Sequence, residues 1–115
     1  MAASAQARIA RQSANAATVF AALGDPTRLA LVARLCDGSR RSITQLSDGQ
    51  SLTRQAISKH LRVLESARVV RSERAGRENL FVLNPKPIED IRSYIALVSS
   101  QSDTALSRLK SFVEK

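Results

Sequence analysis

The chain has 115 residues, 43% hydrophobic and only 3% aromatic, with a formal charge of +8 and a single cysteine. This length allows one domain with one modest core built from Ala, Leu, Val and Ile, a composition that favours helices. A single cysteine excludes an internal disulfide framework. The sequence shows neither a signal peptide nor a run of about 18 apolar residues. We therefore expect a soluble cytoplasmic protein with no membrane contact.

The positive charge is concentrated in one segment. Residues 40–77 hold nine basic and three acidic side chains, and so carry +6 of the total charge of +8. Charge that served only solubility would be spread evenly along the chain. The segment therefore predicts a basic patch for an anionic partner, with nucleic acid ahead of an acidic membrane surface or an acidic protein.

The N-terminal part of the chain predicts a first helix. Residues 1–13 form either a flexible arm or the beginning of that helix. Residues 15–23 continue it with Val19, Phe20 and Leu23 on one side.

A second helix follows directly. Asp25 supplies an N-cap and Pro26 suits the first helical position, while the Asp37-Gly38 pair ends the helix. Helical spacing predicts an inner stripe on this helix, with Cys36 as a small buried hydrophobic residue. The stripe consists of Leu29, Val32, Ala33 and Cys36.

A short helix, a turn and a longer amphipathic helix come next. Ile43 and Leu46 face inward on the short helix, and Asp48-Gly49 marks the turn. Thr53 caps the longer helix, which runs to about Ala67. Its apolar stripe is Ile57, Leu61 and Leu64, and its opposite face carries Gln55, Ser58, Lys59 and Arg62. That opposite face has no acid until Glu65, at its edge.

The remaining sequence predicts a β-hairpin and a long terminal helix. Val69 and Val70 begin one strand, residues 75–78 form the turn, residues 80–83 form the returning strand, and two prolines stop it. Residues 88–115 then predict a helix of ~42 Å, too long for this small domain to cover alone. Residues recurring at steps of three and four form one seam along this helix. The seam predicts contact with a second copy of the chain, with the chain's own N-terminal helix, or with both. The seam is Ile88, Ile91, Ile95, Val98, Ser102, Ala105, Leu109 and Phe112.

This order of elements predicts a helix-turn-helix whose second helix enters the major groove of DNA. Gln55 can pair with adenine, and Lys59 or Arg62 can read guanine or bind phosphate. Thr53 and the backbone N–H groups at the helix start suit a phosphate. The hairpin would act as a wing that reaches phosphates or the adjacent minor groove. The predicted DNA-binding residues are Arg41, Thr53, Arg54, Gln55, Ser58, Lys59, Arg62, Arg74 and Arg77.

Three stretches together resemble the winged helix-turn-helix repressors of the ArsR/SmtB family. They are FAALGDPTRLALVARL, SLTRQAISKHLRVLESARVV and RSERAGRENLFVL, and the likeness covers about residues 15–85. The resemblance implies a mainly α fold with a small β-hairpin, in one winged helix-turn-helix domain over residues 1–115. It also implies a cytoplasmic homodimer that binds a palindromic operator in double-stranded DNA, represses transcription and is released by an effector. Family pairing through the first and last helices makes residues 88–115 a dimerisation helix, with interface residues Phe20, Ile91, Ile95, Val98, Ala105, Leu109 and Phe112.

The sequence departs from the family's metal sensors. The short helix has no Cys or His, the last helix has no His, and the whole chain has one of each. A zinc or arsenic site of the family's designs cannot be assembled in one protomer, so we expect no metal and no cofactor. His60 is expected to be a packed or boundary residue. A redox role for Cys36 would need a thiol from a second subunit.

Two other functions compete with a DNA-binding repressor. A winged helix can also serve as a module that binds an acidic protein partner. An enzyme is a distant third, because no His/Cys/Asp set, glycine-rich phosphate loop or metal-ligand spacing is present. The sequence does not identify an effector, and Tyr94 could either line an effector pocket or pack at the dimer interface.

Overall fold

The computed structural model describes residues 4–113, which form five helices and a three-stranded antiparallel sheet. The helices are α1 (Ala5–Leu23), α2 (Pro26–Leu35), α3 (Ile43–Ser47), α4 (Arg54–Ser66) and α5 (Pro85–Val113). The strands are β1 (Arg41–Ser42), β2 (Val70–Ala75) and β3 (Glu78–Leu83), in the order β1-β3-β2. This confirms a mainly helical fold with a small hairpin and long N- and C-terminal helices.

One apolar core joins the middle helices to the hairpin. The side chains that are almost completely buried come from α2, α3, α4, the first residue of β2 and the residue before it. They are Leu31, Leu35, Leu46, Ile57, Leu61, Leu64, Val69 and Val70. Helix α1 adds Ala16, Val19 and Ala22 to this core, and α5 adds Ile91 near its beginning. Aliphatic residues supply nearly the whole core, as the composition predicts.

The helix and turn signals in the middle of the chain are confirmed. The Asp25 side chain caps α2 by accepting a hydrogen bond from the Arg28 amide at 3.0 Å, and Pro26 is the first helical residue. Thr53 caps α4 by accepting from the Ala56 amide at 3.1 Å. The hairpin turns at Gly76, whose φ of 63° is a left-handed conformation that glycine adopts without steric cost.

The predicted inner face of α2 is wrong for three of its four residues. Val32 is buried, but Leu29 is 52% exposed, and Ala33 and Cys36 are also exposed. The buried face is Leu31, Val32 and Leu35. Seven of its ten residues are apolar and they lie on more than one side, so periodicity alone could not choose between two faces. Burying the larger leucines rather than Ala33 and Cys36 removes more apolar surface from water.

Helix α1 begins earlier than its apolar pattern indicated. Ser4 caps it by accepting from the Ala7 amide at 3.1 Å, so residues 5–13 are helical rather than an arm. Residues 1–3 lie outside the described part of the chain. Val19 faces the core as predicted, whereas Phe20 is 39% exposed and its ring contacts Tyr94 edge-on, with centroids 6.2 Å apart.

Strand β1 and the start of α5 also differ from prediction, and β2 and β3 begin at Val70 and Glu78 rather than at residues 69 and 80. Strand β1 has only two residues and was not predicted, because it forms through pairing of Arg41 with Phe81 and Ser42 with Leu80 rather than through any local pattern. Helix α5 begins at Pro85 instead of residue 88. Both prolines fall in its first turn, where a missing N–H breaks no hydrogen bond.

Helix α5 gives the protomer its elongated shape of 66 × 34 × 21 Å. Its first half packs on α1 and the core, and residues 102–113 at its end are all exposed. Within residues 4–113, no single helix has the length and apolarity to cross a bilayer; α1 and α2 would pass only when taken together, and they meet at 100°.

Candidate nucleic-acid interface

The short helix α3 is held in place by two independent sets of hydrogen bonds. At its start, Ser42 and Gln45 form a reciprocal capping box, with distances of 2.9 and 3.2 Å between side chain and backbone. At its end, the Arg34 guanidinium of α2 donates to the carbonyls of Gln45, Leu46 and Asp48 at 2.9–3.1 Å. Carbonyls at a helix C-terminus have few partners within the helix, and of these three Gln45 also accepts from the Asp48 amide at 3.3 Å. Arg34 therefore fixes the position of α3 and of the turn that leads into α4.

Helix α4 separates an apolar face from a polar, basic face. Ile57, Leu61 and Leu64 are fully buried, as predicted. On the opposite side Gln55, Lys59 and Arg62 are exposed, and Ser58 is half-buried. Arg54, in the first turn, is exposed as well. The structure thus brings the predicted α4 residues together on one surface, which we call the α4 face: Arg54, Gln55, Ser58, Lys59 and Arg62.

The cations of the α4 face make no salt bridge within the described residues. Arg54, Lys59 and Arg62 all lack an acidic partner within 4.0 Å there. The nearest acid along the helix, Glu65, instead accepts a hydrogen bond from the Ser72 hydroxyl at 2.7 Å. The three charges are therefore available to an external anion.

The predicted wing residues differ in their surroundings. Arg77, at the hairpin turn, is exposed and lines a shallow cleft of about 250 Å³ together with Thr44 of α3. Arg74 is also exposed and donates to the Gly76 carbonyl at 3.1 Å, which orients it locally. The wing tip thus lies beside the first helix of the helix-turn-helix, an arrangement that places Thr44 near the predicted interface although its sequence context gave no signal.

Arg41 is less available than the other predicted DNA-binding residues. It is half-buried on β1, where its guanidinium donates to the Ser39 hydroxyl at 3.0 Å and lies 3.4 Å from the Asp37 carboxylate. Hydrogen bonds from Ser39, reinforced by Arg41, hold the pKa of Asp37 below its ordinary value. Arg41 would have to leave this pair to contact a phosphate.

The base of the wing carries an ion pair that sequence inspection missed. Glu73 of β2 binds Arg40, in the loop before β1, and lies 3.4 Å from Arg71 on its own strand. Hydrogen bonding by Arg40 lowers the pKa of Glu73 and raises that of Arg40. Part of the basic segment is therefore neutralised internally, while the α4 face and the wing tip are not.

The predicted dimer residues fall into two groups. Ile91 is only 9% exposed, because it packs into the protomer's own core. Phe20, Ile95, Val98, Ala105, Leu109 and Phe112 are exposed, with Leu109 at 60% and Phe112 at 77%. Leu106 and Val113, which the seam did not include, are also exposed. The large exposed hydrophobic residues on α5 are called the α5 seam below: Ile95, Val98, Leu106, Leu109, Phe112 and Val113.

His60 and Tyr94 contact other side chains of the same protomer. His60 is half-buried and lies 3.2 Å from an Arg28 nitrogen, so it is a boundary residue. Tyr94 packs against Phe20 and the core. Across residues 4–113, no cluster of three or more His, Cys, Asp or Glu side chains is placed to hold a metal ion.

Comparisons with known proteins agree with this architecture. Residues 23–73 match the helix-turn-helix domain family. The chain is 35% identical over 83 residues to the uncharacterized HTH-type transcriptional regulator YuzN of Bacillus subtilis, covering 67% of this chain and 90% of the relative. It is 38% identical over 68 residues to the HTH-type transcriptional repressor SmtB of Mycobacterium tuberculosis, covering 59% of this chain and 50% of the relative.

A solved structure extends the likeness to the whole fold. The ArsR-like transcriptional regulator from Rhodococcus sp. RHA1 superimposes with a TM-score of 0.74 at 30% identity, covering 86% of this chain and 92% of that one. The helix-turn-helix match over residues 23–73 contains α3, α4 and the beginning of the wing, and so includes the unpaired cations of the α4 face, Arg54, Lys59 and Arg62. The chain belongs to the ArsR/SmtB family of winged helix-turn-helix transcriptional regulators.

Proposed function

We propose that this DNA-binding regulator is a cytoplasmic repressor that acts as a homodimer on a palindromic operator. The observation that carries the proposal is the α4 face, whose three cations lack acidic partners in the described structure and are accompanied by an amide and a hydroxyl. Such a surface suits a groove lined by phosphates and by base edges that offer both donors and acceptors.

Some residues of the α4 face would contact base edges, and others would bind phosphates and orient the helix. Gln55 can form two hydrogen bonds with adenine, and Arg62 can form two with guanine. Arg54, Lys59 and the uncapped amides near Thr53 would bind phosphates and set the orientation of the helix. Arg77 and Arg74 on the wing would contact the backbone beyond the groove.

A homodimer would pair two such faces. The six apolar side chains of the α5 seam are exposed to water in the protomer. A second copy of the chain carries the same seam, so two copies related by a two-fold axis would cover each other's apolar side chains. Two-fold pairing through α5 would set two α4 helices ~34 Å apart, the repeat of the major groove on one side of DNA. Binding would then block access to a promoter. An effector would release the DNA by favouring a dimer with a different spacing.

Selection of DNA from a random pool tests the proposal. We expect an inverted repeat that binds ~10³-fold or more tightly than random DNA. The affinity should fall with salt at a log–log slope of about −0.9 per neutralised phosphate. Recovery of no preferred sequence, together with tight binding of an acidic protein, would instead favour a protein-interaction module.

A matched pair of variants separates base reading from general attraction. Arg62→Ala should lose ~1–3 kcal/mol of binding free energy at one operator position if Arg62 reads a base. Arg108→Ala removes the same charge from the exposed part of α5 and should leave sequence preference unchanged. An equal loss on every DNA sequence for Arg62→Ala would show that Arg62 contacts only phosphate.

A further inference from the structure

A cleft of about 390 Å³ lies beside the end of α4, between α1 and the start of α5. Its apolar lining comes from Val19 and Pro87, which are buried, and from Ala67, which caps α4. Polar side chains from α1, from the end of α4 and from the start of α5 surround this apolar part. The volume of the cleft falls within the range of small-molecule sites in proteins.

Arg68, which lines this cleft, has an unusual backbone conformation. It directly follows the C-cap of α4, and among residues 4–113 it is the only non-glycine residue with a positive φ, of 63°. The Cβ makes this left-handed conformation unfavourable, and glycine is the usual residue at such a helix end. The Asn84 side chain donates to the Arg68 carbonyl at 3.0 Å and so helps to hold the conformation. Arginine at this position places a cation beside the cleft although glycine would be the more stable choice.

The guanidinium of Arg68 supplies the unpaired charge of the cleft. It makes no salt bridge within the described part of the chain. The other two charged groups of the lining, Lys86 and Asp90, bind each other, so the cleft carries a net charge of +1. A guanidinium can donate two parallel hydrogen bonds to one carboxylate. A doubly charged phosphate would need a second free cation, which Lys86 does not provide.

Three further polar side chains of the cleft are available to a ligand. Asn15 and Thr18 of α1 and Ser66 of α4 line it, and their side chains form no hydrogen bond within residues 4–113. An amide and two hydroxyls can both donate and accept. They suit polar substituents on a molecule whose carboxylate is bound by Arg68.

The cleft lies on the flank of α1 and α5 that faces away from the proposed dimer contacts. At 3.6 residues per turn, Thr18 is rotated about the axis of α1 by about 160° from Phe20, and Lys86 is rotated about α5 by about 180° from Ile95. A second copy that covers Phe20 and the α5 seam would therefore leave the cleft open to a ligand.

We propose that this cleft is an effector site for a small organic molecule with one carboxylate and an apolar body. The carboxylate pairs with Arg68, and the apolar body covers Val19 and Pro87. Such a ligand contacts α1 and α5, the helices of the proposed dimer, and the end of α4. Since a displacement of α4 relative to α1 and α5 changes these contacts, the ligand favours one arrangement of the three helices.

The expected sign of regulation follows from charge. A bound carboxylate adds a negative charge to a protein whose contact with DNA depends on positive charge, so the ligand should weaken operator binding. This regulatory role rests on the proposed function, whereas the binding of a carboxylate in the cleft does not.

The first test measures binding without DNA. Benzoate is the carboxylate probe, benzamide is its neutral counterpart and phenyl phosphate is the doubly charged alternative, all at constant ionic strength. Nitrogen-15 NMR should show saturable shifts of Arg68 Nε and of the neighbouring amides with benzoate, with a dissociation constant in the millimolar range for so small a ligand. Benzamide should give no saturable shift. No saturable shift with benzoate, equal binding of benzamide, or tighter binding of phenyl phosphate would each overturn the proposal.

Arg68→Gly separates binding from stability. Glycine adopts the left-handed backbone without steric cost, so this variant should melt at a higher temperature than the native protein. It should nevertheless bind benzoate at least about tenfold more weakly, the factor that corresponds to a lost charge-assisted hydrogen bond. The control Arg108→Ala removes a charge from the exposed part of α5 and should bind benzoate as the native protein does. Unchanged benzoate affinity in Arg68→Gly, or an equal loss in both variants, refutes the role of Arg68.

The last test connects the cleft to DNA. Near saturation with benzoate, the operator affinity of the native protein should fall by about fivefold or more, a typical allosteric coupling, and that of Arg68→Gly should not change. Because coupling is reciprocal, operator DNA should weaken benzoate binding by the same factor. Saturable benzoate binding with unchanged operator affinity refutes the regulatory role. The absence of any operator preference, with benzoate binding intact, refutes the proposed function instead.

Discussion

Replacing Ile95 with aspartate should dissociate the proposed homodimer. Ile95 is 52% exposed in the protomer, so a partner can bury about half of its side chain, which corresponds to about 1 kcal/mol. A two-fold dimer buries Ile95 once in each protomer. Losing these two apolar contacts therefore costs about 2 kcal/mol of dimerisation free energy, or about thirtyfold in the dissociation constant. Two buried carboxylates add several kcal/mol more, so we expect an increase of at least about a thousandfold.

Leu29→Asp on α2 is a matched control, because Leu29 is also 52% exposed but lies outside the α5 seam. Sedimentation equilibrium over a wide concentration range should give a dimer for the native protein and for Leu29→Asp, and a monomer for Ile95→Asp. Operator affinity should fall in parallel for Ile95→Asp only. A dimer that survives Ile95→Asp unchanged, or that both substitutions weaken equally, would refute the pairing through the α5 seam.

Three further predictions concern stability. Arg34→Ala removes the three hydrogen bonds from the guanidinium to the end of α3, and urea titrations should show a free energy of unfolding lower by about 2–3 kcal/mol. Arg34→Lys should recover only part of this loss. An unchanged urea midpoint in Arg34→Ala would show that water replaces the guanidinium. Gly76→Ala should cost about 1 kcal/mol, because its backbone is left-handed while its surroundings are open, and a neutral result would mean that the turn changes conformation. Glu73 has a pKa below its ordinary 4.5, so its contribution to stability is present above that pH and is lost as the pH falls through the lower, folded-state pKa. Glu73→Gln should therefore flatten the acid side of a plot of melting temperature against pH, and an identical acid slope in both proteins would contradict the role of its pairing with Arg40.

Local sequence signals determined the helix-turn-helix and the hairpin. Thr53 as a cap specifies the start of α4, and the apolar spacing of Ile57, Leu61 and Leu64 specifies its buried side. The same spacing leaves Lys59 and Arg62 on the opposite side without reference to any other element. These features depend on hydrogen bonds and contacts between residues a few positions apart, which is why the α4 face could be predicted before the fold was known.

Features that depend on contacts between distant elements could not be predicted in this way. Helix α2 has two plausible inner faces, and only packing against α1, α4 and β3 selects Leu31 and Leu35 over Leu29 and Cys36. Strand β1 exists because β3 offers it hydrogen bonds. The sequence alone therefore determined that one helix presents cations to its surroundings. The tertiary structure decided how that helix is held, because the Arg28 and Arg34 guanidiniums reach partners that lie 6 to 32 residues away along the chain.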